Sequence, residues 1–573
     1  MKRRRLILLC FLVTSLCLSP VSASSYESFA HPDTCFSDMV YTGIDADAVD
    51  TFCEQFAHEP VTLYPELLAL YDEIYTQEQL AFIRMCQNAN DTDAAAESER
   101  AANNSVYARD RICLALSEAL LSPQGNALAA LMPEGEAEAF ADYAALSDDE
   151  ISSAGQETAL VSQYYLLPDD ESFADAAGEL DLRLAALRCA EAERAGFDSY
   201  PEYAYYVNFA REYAPEDMEP LRRMVKTTIA PLYTRCVAAL YSAPPLRDDE
   251  IIPPDEQIMG AIAAHIGEVS PELTESMDFL LRNRLYFLSS GDELLDTGYT
   301  AFLPAYRSAF IFDHASSRFY AFKDAVHEFG HFNAAYHDPT PMLYQFDSID
   351  VAEIQSQGME LLFLPYLQDI VARSEQERDT VELQLLSDIL GSVVDGCLYD
   401  EFEQAAYADP DMSVAQLHKL EKRLLREYSL DALYDNEPGW CYVTHLFDNP
   451  CYYISYAVSA IPALDIWLRS LNDRGAAVDA YMSVSAARTD AWFFDVLADN
   501  DLCDPTDARD MVRLARALEQ ELESLSGKSS APMQMTCFAA GIMLIVIVLF
   551  ILRRKKSAER KPLSTDDDSV AIE

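Results

Sequence analysis

Val326-His327-Glu328-Phe329-Gly330-His331 decides how this chain is read. His327 and His331 are four residues apart, a spacing that stacks two side chains on one helical face about one turn apart. Two neutral imidazoles so placed can bind one Zn²⁺ from the same side. Glu328 lies beside them, where it can hold a metal-bound water and take its proton. The stretch Tyr320 to Tyr336 around the motif reads as a single helix.

A short connection leads to Asp350-Val351-Ala352-Glu353-Ile354-Gln355-Ser356-Gln357-Gly358-Met359-Glu360 and then to the apolar run Leu361-Leu362-Phe363-Leu364, so this reads as a second helix. Glu353, Gln357 and Glu360 fall on one face of it. Unpaired buried charge is costly, so a buried face with two carboxylates makes sense where a cation sits. The alternative is a solvated acidic face, against which the apolar run argues.

Together the two segments resemble the thimet oligopeptidase and oligoendopeptidase F family of zinc peptidases. That family pairs His-Glu-Phe-Gly-His with a later Asp-x-x-Glu-x-x-Ser-Gln-x-x-Glu helix, and Asp350, Glu353, Ser356, Gln357 and Glu360 match it. The resemblance implies one Zn²⁺ per chain held by His327, His331 and Glu353, with Glu328 as general base. Asp350 and Glu360 would orient ligand imidazoles from behind. It also implies a mainly α, zincin-like, two-lobed helical peptidase whose deep cleft admits short unstructured peptides. The chain departs from the family at Ala334, where another His is frequent. His337 reads as a residue near a helix end, favoured there by the helix dipole.

Working outward, Tyr299 to Leu303 and Ser308 to Phe312 are the best strand candidates. In the resembled family a small β-sheet lies beside the metal helix and its edge pairs with an extended peptide. Cys441 to Ala460 is the third functional stretch. It holds His445 and a helix beginning after Pro450, with Tyr453 and Tyr456 three residues apart. Peptide hydrolysis builds an oxyanion, and a His or Tyr donor near the metal can stabilise it. The family places a His and a Tyr-rich helix opposite the metal, which His445, Tyr453 and Tyr456 match in kind. Tyr452 rivals Tyr453 for that role, and an aromatic core helix is the other reading.

The net charge of −55 repels nucleic acid and anionic lipid headgroups. It fits a plain soluble surface, and secondarily a preference for cationic peptides. Thirteen cysteines include no Cys-x-x-Cys pair, which argues against a cysteine metal site. Cys35 with Cys53 is a plausible local disulfide in an exported chain. Residues 1–23 combine a basic start, an apolar run and small residues before Ser24, a secretory signal. Residues 24–530 are expected to form an extracytoplasmic peptidase domain, with a helical part over 24–240 and a catalytic part over 241–530. Within the first part, 88–104 is polar and reads as a loop or exposed turn. Residues 531–552 are apolar enough to span a bilayer, and the basic run Arg553 to Lys556 would hold the tail 553–573 in the cytoplasm.

The expectation is therefore a single-pass cell-membrane zinc metalloendopeptidase acting on short peptides, its catalytic part outside. A zinc exopeptidase of carboxypeptidase type and a non-catalytic surface peptide-binding module remain as alternatives.

Overall fold

The computed structural model describes residues 29–528, apart from 134, 142, 144–147, 166, 169, 247–251, 346–347, 410, 434–437 and 489–490. The described chain is mainly helical with one three-stranded sheet. In its N-terminal half lie the long helices α1 (Pro60–Gln87), α2 (Thr92–Leu120) and α3 (Phe173–Ala195). The sheet follows, as β1 (Tyr286–Ser289), β2 (Gly298–Leu303) and β3 (Ser308–His314). Four helices then build the site: α4 (Arg318–His337), α5 (Ile349–Val371), α6 (Glu375–Ala408) and α7 (Ile454–Ser470).

β3 is buried along nearly its whole length and takes the centre of the sheet, parallel to β1 and antiparallel to β2. Its unbroken apolar centre suits a strand covered on both faces. The register pairs Tyr286 with Ile311 on one side and Thr300 with Ile311 on the other. β2 and β3 match the strands expected from sequence. β1 was not expected, because Tyr286-Phe287-Leu288-Ser289 is too short to show a period of its own.

α4 starts where the Ser317 hydroxyl accepts from the Tyr320 N–H, 3.3 Å away. Phe322, Val326, Phe329, Phe332 and Tyr336 recur at helical spacing and are buried against the core. α5 crosses α4 with almost no side chain between them. A Cβ on Gly330 would lie 2.6 Å from the Gln355 carbonyl oxygen and 2.8 Å from the Ser356 Cα, so only glycine permits this approach. On α6 a Cβ at Gly396 would stand 2.6 Å from the Tyr453 carbonyl oxygen, which brings α6 against the start of α7.

Several expectations are corrected. Among the described residues no helix is long and apolar enough to cross a membrane, so the transmembrane helix and the single-pass cell-membrane placement are withdrawn. The apolar faces of α5 and α7 are used up inside the protein core. Residues 1–23 and 531–573, on which the signal, span and tail were read, lie outside the described residues. The loop expected at 88–104 is mostly α2. Asp91 caps that helix by accepting from the N–H groups of Asp93 and Ala94, and a stripe of small residues (Ala94, Ser98, Ala101, Ser105, Ala108) packs inward. Small buried residues hide such a face from a hydropathy reading. The ten cysteines of the described residues are free thiols, so Cys35 and Cys53 are not paired.

Candidate metal centre and active site

The site lies where α4, α5 and α7 meet the sheet. His327 and His331 project from the same side of α4, their ring centroids 5.1 Å apart. From α5, Glu353 faces them. One ligating atom from each of His327, His331 and Glu353 can be chosen so that all lie within 4.8 Å of one another. His327 Nε2 stands 3.6 Å from Glu353 Oε2. A two-imidazole, one-carboxylate set at this separation fits one divalent ion with room for a further ligand.

The surroundings orient these groups. His327 Nδ1 is 2.5 Å from Glu360 Oε1, about two turns beyond Glu353 on the same face of α5, which directs Nε2 into the cluster. Behind it, half-buried Lys323 holds its Nζ 3.7 Å from the other Glu360 oxygen. Glu353 accepts from the Tyr452 hydroxyl at 3.0 Å and from Ser356 Oγ at 3.1 Å. Glu328 leaves α4 on the sheet side, where Thr300 Oγ1 of β2 donates to its carboxylate at 2.7 Å and to its backbone carbonyl at 3.0 Å. Asp350 accepts from Tyr213 at 2.8 Å and stands 3.8 Å from Arg211 Nε, rather than meeting an imidazole.

Opposite, His445 lies on a one-turn helix, its ring centroid 5.0 Å from Tyr452, 5.5 Å from Tyr453 and 6.2 Å from Tyr456. The three tyrosines do not face the same way. Tyr452 bonds to Glu353, and the Tyr456 hydroxyl is held protonated by burial and by the charges of Glu353 and Glu328. Tyr453 instead packs edge-on against Tyr399 of α6, and its charged neighbours are Asp395, Glu403 and Asp448. Sequence reasoning missed Thr300 and Lys323 and ranked Tyr452 behind Tyr453. The only available signal was that Thr300 falls in a strand candidate and Lys323 lies one turn before His327.

Burial sets most of the protonation states. It pushes the Glu328 carboxyl up to about 7, near the range a general base needs. It takes His331 down to about 4, leaving a neutral imidazole, the form a metal ion would need. Burial also acts to lower His327, but the Glu360 hydrogen bond and the carboxylates nearby outweigh it and carry the group up to about 9. His445 is lowered by burial and is a neutral ring. His337, at the end of α4, is likewise lowered to about 4 by burial, so no charge–dipole attraction holds it there.

These shifts have a signed consequence for the metal-free protein. His327 binds its proton more tightly folded than unfolded, so its contribution is complete below pH 6.5 and is lost as pH rises through about 9. A metal ion on Nε2 must displace a proton from the ring. In chelator, the Tm is expected to fall between these pH values, and the Tm gain on adding metal to widen. A gain that stays constant across that window would show that His327 is not a ligand.

No family model and no curated protein matches the sequence. Solved structures do match in three dimensions. One described as an oligoendopeptidase F superposes with a TM-score of 0.72 at 20% identity, covering 86% of this chain and 99% of its own. Pz peptidase A, solved with an inhibitor, gives 0.71 at 19% identity over 85% of this chain and 99% of its own. An M32 carboxypeptidase from Deinococcus radiodurans R1 gives 0.51 at 15% identity over 83% of this chain and 100% of its own. The chain has the fold of the oligoendopeptidase F structures, in agreement with the zinc peptidase family that its two helical motifs resemble.

Proposed function

We propose that the chain is a zinc-dependent endopeptidase of short peptides. The observation that carries this reading is the convergence of His327, His331 and Glu353 on one point, with a buried carboxylate, Glu328, beside it. Zinc, when bound there, supplies Lewis-acid polarisation of the scissile carbonyl and acidifies water. The remaining work belongs to side chains of this chain. Glu328, oriented by Thr300, accepts the proton of the attacking water and delivers it to the departing amine. Tyr456 and His445 lie across from it, and their donors suit the charge that develops on the carbonyl oxygen, while the Tyr452 hydroxyl is spent on Glu353. Glu360 fixes the His327 ring so that Nε2 points toward Glu353, where it would be free to hold the ion.

Quantified zinc and a quenched-peptide library test the proposal together. One equivalent of zinc with cleavage that chelator abolishes and zinc restores is the expected result. One equivalent of zinc with no cleavage would favour a peptide-binding module instead. The likeness to a carboxypeptidase keeps an exopeptidase reading in play. Mapping cut positions on one defined peptide separates internal cleavage from trimming of an end.

A further inference from the structure

Two arginines from the N-terminal half, Arg188 on α3 and Arg211 beyond it, are only 1% and 4% exposed. A buried guanidinium is costly unless its donors are met. Both direct them at one stretch of chain far away in sequence. Arg188 donates through Nη1 to the Leu446 carbonyl at 3.2 Å and through Nη2 to the Phe447 carbonyl. Its remaining partners are the Tyr407 hydroxyl at 3.2 Å and Glu157 at 2.7 Å. Arg211 donates to the Cys451 carbonyl at 2.9 Å, the Tyr452 carbonyl at 3.4 Å and Ser455 Oγ at 2.7 Å. Its guanidinium also lies 4.4 Å from the centroids of the Tyr205 and Phe209 rings.

The stretch so gripped is strained. Cys451 has a φ of +66°, a left-handed conformation that a residue with a Cβ rarely adopts. Both its backbone groups are held. Its N–H donates to Glu403 at 2.8 Å, and its carbonyl accepts from Arg211. Strain of this kind persists only where the surroundings over-determine it. The turn at Cys451 joins the short helix that bears His445 to the segment that bears Tyr452 and Tyr456.

We infer that Arg188 and Arg211 are positioning residues that hold His445, Tyr452 and Tyr456 toward Glu353 and Glu328. They act through backbone carbonyls and, for Arg211, through Ser455 Oγ, and do not touch the reacting groups. The inference rests on the proposed peptidase reaction, and the experiment separates the two. Full-length wild type, Arg188→Met, Arg188→Lys, Ser455→Ala and a Glu328→Gln control are compared for kcat, KM, bound zinc and backbone hydrogen exchange. Arg188 is the choice because it has no contact with the metal cluster.

Arg188→Met is expected to lower kcat by about 10²-fold, the cost of displacing a reacting group by roughly 1 Å. KM and the single zinc should stay unchanged, and exchange should rise over 442–456 but not in α4 or α5. Arg188→Lys should recover only part of both effects, because an ammonium lacks the guanidinium fork. Unchanged kcat and exchange would overturn the inference, as would loss of zinc or faster exchange throughout. If Arg188→Met does not fold, Ser455→Ala decides. It removes one Arg211 acceptor and should lower kcat several-fold at constant KM, and an unaltered kcat overturns the inference. If wild type cleaves no peptide while binding zinc, the peptidase reading fails, and exchange over 442–456 alone decides whether the arginines hold the turn.

Discussion

Glu328→Gln is expected to keep its metal and lose about 10³-fold in kcat/KM, the scale of a missing general base. The substitution changes little else. A carboxamide oxygen can still accept from Thr300, so the side chain keeps its place against β2. It removes a group that burial already disfavours in its charged form, since the carboxyl is pushed up to about 7. The metal-free variant should therefore be no less stable than wild type at pH 8, where wild type holds the buried charge. Bound zinc, Tm and turnover of a quenched peptide measure the three parts of this statement. Near-normal turnover with zinc in place would remove Glu328 from the mechanism.

Glu353→Ala is expected to abolish metal binding at concentrations that saturate wild type. It removes one of the three candidate ligands and takes the carboxylate acceptor from the Tyr452 hydroxyl, while Ser356 Oγ keeps the main-chain carbonyl of residue 353 at 3.2 Å. The loss should exceed the ~10–100-fold that follows removal of a supporting hydrogen bond, for which Glu360→Gln is the comparison. At zinc a hundredfold above its Kd, wild type gains ~2.7 kcal/mol of stability by mass action. Glu353→Ala should show no such gain, and Glu360→Gln a reduced one. Thermal unfolding with and without zinc gives the answer. Tight zinc binding by Glu353→Ala would mean that α5 supplies no ligand and that the two-helix centre is wrong.

The two helices that carry the candidate ligands were legible because their chemistry is local. His327 with His331, and Glu353 with Glu360, are spaced by helical turns, and the structure brings His327, His331 and Glu353 together with Glu360 behind the His327 ring. The strands β2 and β3 were legible for the same reason. The donor side was only half legible. Periodicity places Tyr453 and Tyr456 near each other, but the left-handed turn at Cys451 rotates the segment so that Tyr452 meets Glu353. No spacing rule foresees one such residue. Asp350 carried the expected motif position yet binds Tyr213, 137 residues away, and Arg188 reaches 258 residues along the chain to Leu446. Contacts of that separation leave no trace in a window of sequence. The apolar segment 531–552 has the length and composition of a span, and composition alone gave the membrane reading that the described helices do not support.

The absent methyl at Gly330 has a mechanical meaning. With the Gln355 carbonyl against a bare Cα, the gap between α4 and α5 is gauged by one main chain resting on another. Side chains accommodate a neighbour's change by hopping rotamers, whereas peptide planes scarcely deform. The gauge is thus insulated from drift in the packing around it. The spacing depends on an emptiness one atom wide.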